Sequence, residues 1–175
     1  MKTHGTKRPI SGAVLLAITV AAVAVGGWLV PRILHAPVRA GEDAAIAALI
    51  NIGEAENAYR ERYPQIGFAA RMAALSVGGG KQCDPTPQQA CMLDRALARN
   101  EGRPFRGYYF AETAATEAPR ASYMIVATPV ERRRTGIRSF CVVERGVPRY
   151  KDLGRDTNPR EITRDECLRD FVPLP

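Results

Sequence analysis

The side chains able to do chemistry are sparse in this chain and do not converge. Its 175 residues include two histidines, His4 and His35, both within the first 40 positions. Nucleophilic catalysis of the Ser/His or Cys/His kind needs a base beside the nucleophile, and the rest of the chain has no histidine to supply. Ser76, Ser122 and Ser139 lack the strand–turn–helix setting of a nucleophile elbow. Carboxylate pairs occur at Glu42/Asp43 and Glu54/Glu56. They fall on a helical pattern, where charge on a solvated face is the plainer account. Asp165-Glu166 in the tail lacks the ligand spacing of a calcium cage. The residues therefore predict a non-enzyme with no cofactor, no metal and no small-molecule substrate.

The four cysteines, Cys83, Cys91, Cys141 and Cys167, suit an oxidising compartment, where disulfides form and persist. They allow three connectivities. Cys83 and Cys91 enclose the polar loop DPTPQQA, which suits a local staple and leaves Cys141 to tie down Cys167. Chain entropy gives about 2.5 kcal/mol for the short loop and about 3.5 kcal/mol for the long one. Zinc fits less well, because the spacing is C-x7-C and neither histidine is near.

Between Arg120 and Lys151 lie eight basic residues against Glu131 and Glu144, an excess of +6. Arg132, Arg133, Arg134 and Arg138 are the candidate contacts for a polyanion or an acidic partner. Tyr108, Tyr109 and Tyr150 are the rings available for stacking on DNA. The Arg run has no interleaved aromatics, so a solvated hairpin whose charges protect a sheet edge is favoured over DNA capture.

These groups have to be positioned by a chain that starts with a different signal. Lys2, Lys7 and Arg8 precede the uncharged run ISGAVLLAITVAAVAVGGWLV, 21 residues between Pro9 and Pro31. At ~1.5 Å per residue a helix of that length matches the ~30 Å bilayer core. The basic flank predicts residues 1–9 in the cytoplasm, 10–30 as a single inner-membrane anchor, and everything beyond as periplasmic or extracellular. A cleavable signal peptide is the rival, since Ala22-Val23-Ala24 is a cleavage pattern. The apolar run continues past it to Val30, which favours the anchor, with Trp28 at the interface level. Of the net charge of +7, residues 1–41 contribute five basic and no acidic residues. The remainder is close to balance, so the high pI reports mostly the membrane flank.

Residues 31–41 read as a Pro-containing connector and 42–175 as one extracytoplasmic domain. A helix is predicted from Glu42, its acids suiting a first turn. Its apolar stripe is Ala45, Ala48, Leu49, Ile52, Ala55, Tyr59 and Tyr63, ending at Pro64. Ile46, Ile50 and Gly53 form a second partial stripe, read as extra core or as a contact face for another helix. Residues 64–92 read as irregular with a short helix near Ala69–Leu75, and Gly78-Gly79-Gly80 as a flexible loop rather than a phosphate loop. Met92–Arg99 reads as a short helix. Strands are predicted at Tyr108–Glu112, Ser122–Val130, Thr135–Val143 and Val147–Tyr150. Short links, including the exposed connection ERRRTG, make these an antiparallel meander. The last 25 residues read as charged and irregular, held by Cys167.

An apolar N-terminal segment, a long amphipathic helix, a cysteine-bounded loop and a meander, in that order, resemble the type IV pilin and type II secretion pseudopilin superfamily. The likeness is closest to a bacterial pilin-like group, on AAIAALINIGEAENAYRERYPQIGFA, CDPTPQQACMLD, YMIVATPV and TGIRSFCVVERGVPRY. The resemblance implies an α+β domain in which the helix packs on a three- to four-stranded antiparallel sheet. It also implies assembly through the N-terminal helix with other pilin-like or secretion-system subunits, and processing between Gly12 and Ala13. One departure stands out. Pilin precursors place Glu five residues into the mature chain, whereas here that position is Ala17 and the membrane segment holds no Glu. The alternatives are a tethered domain that binds a polyanion or acidic partner through its basic sheet surface, and a secreted disulfide protein beginning near Val25.

Overall fold

A computed structural model describes residues 12–78, 82–100, 102–144 and 146–175, with side chains from residue 37 onward. The chain divides into two compact units, Met1–Ala36 and Pro37–Pro175. The described residues of the first are helical. The predicted anchor at 10–30 has its side chains outside the described residues. Among the residues described, no helix is long and apolar enough to cross a membrane. The second unit is α+β.

Helix α1 spans Gly12–Arg62. The helix predicted to begin at Glu42 is thus already formed upstream of it, and Pro31 and Pro37 lie within the helical stretch rather than in a connector. Tertiary contacts explain the extension on the domain side. Val38 is buried, and Gly41 lets the Thr135 carbonyl oxygen approach so closely that a Cβ would overlap it. Along α1, Val38, Glu42, Ala45, Leu49, Ile52, Glu56 and Tyr59 alternate at spacings of four and three, and all are buried. That is the spacing of a seam kept facing one surface. The helix ends just before Pro64, where a proline cannot continue the hydrogen-bond ladder.

The surface it faces is a sheet of five strands in sequential order, all antiparallel: β1 Tyr108–Ala114, β2 Tyr123–Pro129, β3 Ser139–Val143, β4 Arg149–Lys151 and β5 Val172–Pro173. The meander of four was legible, and the fifth strand comes from the tail. In the register that pairs Ile125 with Val142, alternate residues Phe110, Ile125, Ala127, Phe140 and Val142 pack on α1. The opposite parity, Met124, Val126, Cys141 and Val143, packs under Ile162, Cys167 and Phe171. Every residue of β2 and β3 is buried. That is why YMIVATP and SFCVV read as continuous apolar runs: both faces of the sheet are covered.

The tail is accordingly ordered, not irregular. A 3-10 turn at Pro159–Glu161 leads into helix α3, Arg164–Asp170. Thr163 and Glu166 close its first turn as a reciprocal capping box, in which the Glu166 carboxylate accepts from the Thr163 N–H at 2.8 Å. Arg149 donates to the carbonyls of Leu168 and Phe171 at 3.0 and 2.8 Å, satisfying the far end. Shorter elements elsewhere match the expected places: a 3-10 turn at Met72–Leu75 and helix α2 at Arg95–Ala98, capped by Asp94. Gly79 and Gly80 of the glycine run lie outside the described residues.

Both disulfides pair as the loop argument anticipated, Cys83 with Cys91 and Cys141 with Cys167. The second joins β3 to α3 and so fastens the outer layer to the sheet. Replacing Cys141 and Cys167 with serine is expected to lower unfolding stability by about 3.5 kcal/mol, against about 2.5 kcal/mol for the Cys83/Cys91 pair. Urea unfolding of the two double variants measures that order.

Candidate functional site

The charged cluster around residues 131–138 is the place where a sequence-predicted surface becomes a structural joint. The link between β2 and β3 is exposed at Glu131, Arg133 and Arg134, as expected, while its end, from Thr135 to Arg138, folds back onto α1. Glu42 Oε1 accepts from the backbone N–H groups of Ile137 and Arg138 at 2.9 and 3.0 Å, and its Oε2 accepts from the Arg138 guanidinium at 2.8 Å. Glu42 is 6% exposed. Burial pushes its carboxyl up, but the hydrogen bonds and charge of Arg138 with the Ile137 N–H outweigh burial and hold it below the usual carboxylate range. Tyr108 donates its hydroxyl to the Arg138 carbonyl at 2.9 Å, and Gly136 leaves room for that ring. The reading of Glu42 as a solvated first-turn acid is corrected: it sits mid-helix, on the buried seam.

The arginines read as a polyanion surface are largely neutralised in place. Arg132 binds Asp152 through Nε and its terminal nitrogen at 2.7–3.0 Å, and its backbone N–H reaches Asp156. Arg134 pairs with Glu131 at 3.0 Å. Arg138 serves Glu42 and lies over the rings of Phe140 and Tyr150, at 5.5 and 5.0 Å from their centroids. Lys151 faces Asp170. Arg133 is exposed and holds a left-handed turn position with φ 68°. Arg145 lies outside the described residues. Of the stacking candidates, Tyr108 is fully buried, Tyr150 is covered by Arg138, and Tyr109 is half-buried. The acids that absorb this charge, Asp152, Asp156 and Asp170, come from beyond the counted window, which is why the local excess misled.

The other predicted positions separate. Ile46 packs against the core, as the plainer reading held. Ile50 is 44% exposed, and Gly53 lies against the Tyr123 hydroxyl. Ile50 and Gly53 line a shallow groove of about 220 Å³ with Val142 and Pro148. Gly12 and Ala13 begin α1, among positions whose side chains lie outside the described residues. Ser139 is buried within β3, and Ser76 is buried with its hydroxyl accepting from the Gly78 N–H.

One site was missed. Glu56, expected on a solvated face, is fully buried beside the side chain of Glu112 on β1, which acts on it electrostatically. Its Oε2 accepts from the Ala69 N–H at 2.8 Å. Two buried carboxyls side by side do not readily ionise together, because like charges repel. Burial pushes the Glu56 carboxyl up to about 7, against the opposing effects of Glu112, the Ala69 N–H and the charge of Arg120. The signal was present. Glu56 lies four residues after Ile52 and three before Tyr59, and Glu112 continues the parity of Tyr108 and Phe110, which face the helix. Among the described residues, no group of three or more His, Cys, Asp or Glu could hold a metal ion.

No protein-family model, curated protein or solved structure matches the chain.

Two measurements follow from the seam glutamates. Glu42→Ala strands two backbone donors and a guanidinium that is about a third exposed, and is expected to cost roughly 2–4 kcal/mol in urea unfolding. Glu56 has the opposite sign. The unfolded carboxyl ionises near 4.5 and the folded one near 7, so the folded chain holds more protons in between. The contribution of Glu56 is complete below pH 4.5 and is lost as pH rises through about 7. Glu56→Gln keeps an acceptor for Ala69 and is expected to flatten that fall, read as urea midpoints compared across the same window.

Proposed function

We propose that this chain is a non-catalytic, pilin-like or pseudopilin-like component of a bacterial envelope filament or secretion apparatus, held in the inner membrane by residues 10–30. The observation that carries the reading is α1, Gly12–Arg62, which contributes the buried seam of an α+β domain from Val38 onward. Its upstream sequence is the uncharged apolar run. A helix that serves both as anchor and as domain seam is what assembly through an N-terminal helix requires. The antiparallel meander and the two disulfides support the same reading, as does a chain whose charged clusters serve ion pairs and caps rather than a catalytic constellation. Exposed Ile50 supplies an apolar point on the outer face of α1 for a neighbouring helix.

The decisive measurement is the intact mass and N-terminal sequence of the chain recovered from a membrane fraction. A chain beginning at Ala13 is expected, and N-methylation there would place it among processed subunits despite Ala17 standing where Glu is usual. A chain that keeps residues 1–12 would leave a tethered domain outside that pathway. A soluble chain beginning near Val25 would make it a secreted disulfide protein.

A further inference from the structure

With Arg132, Arg134 and Arg138 engaged in ion pairs, a second group of arginines lies elsewhere in the domain. A cleft of about 810 Å³ opens between the Met72–Leu75 turn, the cysteine-bounded loop at Pro87–Gln88, the end of α2 and the segment Ala118–Arg120. Arg71, Arg99 and Arg120 line it. None of the three takes part in an ion pair among the described residues. Arg71 and Arg99 are exposed, and Arg120 is half-buried with its backbone fixed by bonds to Ile66 and Phe68. Among the described residues no carboxylate lines the cleft beside these three arginines, although the charge of Arg120 also reaches buried Glu56, and an anionic occupant would relieve this concentration of like charge.

The walls narrow the choice of occupant. Ala70, Ala73, Ala74 and Ala98 contribute small apolar side chains to the lining beside Ile66 and Pro87, which permits close approach of a main chain. The cleft is open to solvent rather than enclosed, so it would surround a small anion poorly. An extended polypeptide gains contact along such a groove residue by residue. Nucleobases lack a platform: the single ring at the cleft is Tyr59, 2% exposed, with its hydroxyl donated to the Pro87 carbonyl at 2.8 Å.

We propose that this cleft is a docking site for an acidic polypeptide segment, whose carboxylates are received by Arg71, Arg99 and Arg120. Guanidinium forks match carboxylates in bidentate geometry, and the small apolar lining takes the intervening backbone. The inference goes beyond the assembly reading and does not depend on it, since N-terminal processing and cleft binding are measured separately.

The test is fluorescence anisotropy with the full chain in a non-ionic detergent. The probe is a labelled peptide of alternating Glu and Ala. Unlabelled competitors are the Lys counterpart, a thymidine oligonucleotide and inorganic phosphate. Binding of the acidic peptide is expected to weaken about tenfold or more in the double variant Arg71→Glu, Arg99→Glu, and to weaken with added salt. Arg169→Glu, exposed on α3 across the sheet, is expected to change it less than about twofold. Circular dichroism of the variants checks that the fold is retained; both cleft positions are exposed. Absence of binding, or binding indifferent to the double reversal, overturns the proposal. So does displacement by the oligonucleotide at lower concentration than by unlabelled acidic peptide, which would make this a nucleic-acid face. Displacement by phosphate at peptide-like concentration would reduce it to an isolated anion site and overturn it too.

Discussion

The constraint on which the domain hangs is the burial of the Glu42 carboxylate. A charge taken out of water is tolerated only with donors around it, and these donors come from residues 137 and 138, at the far end of the sheet's central hairpin. Meeting that need draws the β2–β3 link across the helix. The link's arrival then fixes the rest of the joint. Gly41 is demanded by the Thr135 carbonyl and Gly136 by the Tyr108 ring. Arg138, held by Glu42, covers the rings of Phe140 and Tyr150 and so reaches two more strands. One ion pair thereby sets the height and rotation of α1 over the sheet.

The same seam carries a second glutamate in the opposite electrostatic state. Glu42 faces a cation and two amide donors and stays ionised. Glu56, two helical repeats further on, is buried without a paired cation among the described residues, and burial raises its carboxyl to about 7 against the opposing effects around it. Identical side chains on one helical stripe diverge because donors outweigh burial at Glu42 and burial outweighs them at Glu56. Both are costly positions for a polar group in so small a core, and the disulfides and the outer layer of tail residues supply compensating stability. The far edge of the sheet is closed by β5, two residues long and containing Pro173, which offers little for another strand to pair with.

Periodicity made much of this legible. The stripe from Ala45 to Tyr59, the first four strands and their meander order all follow from spacings of three and four or from short β-rich runs between turns. What escaped were features whose partners are distant in sequence. Glu42 and Glu56 were assigned to solvent by residue type, although the four–three alternation through Leu49 and Ile52 places both on the seam. The Arg132–Arg138 charge was counted in a window that stopped one residue short of Asp152. The tail looked irregular because α3 is only seven residues long and is stabilised by a capping box and Cys141 rather than by an apolar stripe. The start of α1 was misplaced because local proline bias was weighed without the burial of Val38.

The pairing of Glu42 with Arg138 also sets an order of events during synthesis. The two residues are 96 positions apart. A ribosome adding roughly 5–20 residues per second needs about 5–20 s to move from one to the other. Throughout that interval α1 has emerged without the sheet that covers its seam, and no local partner substitutes for the missing donors. Closure must then join segments far apart in the chain, the kind of contact that slows folding most. The helix that comes first is therefore among the last elements to be completed, and the nascent chain depends in the meantime on whatever shields its apolar stripe.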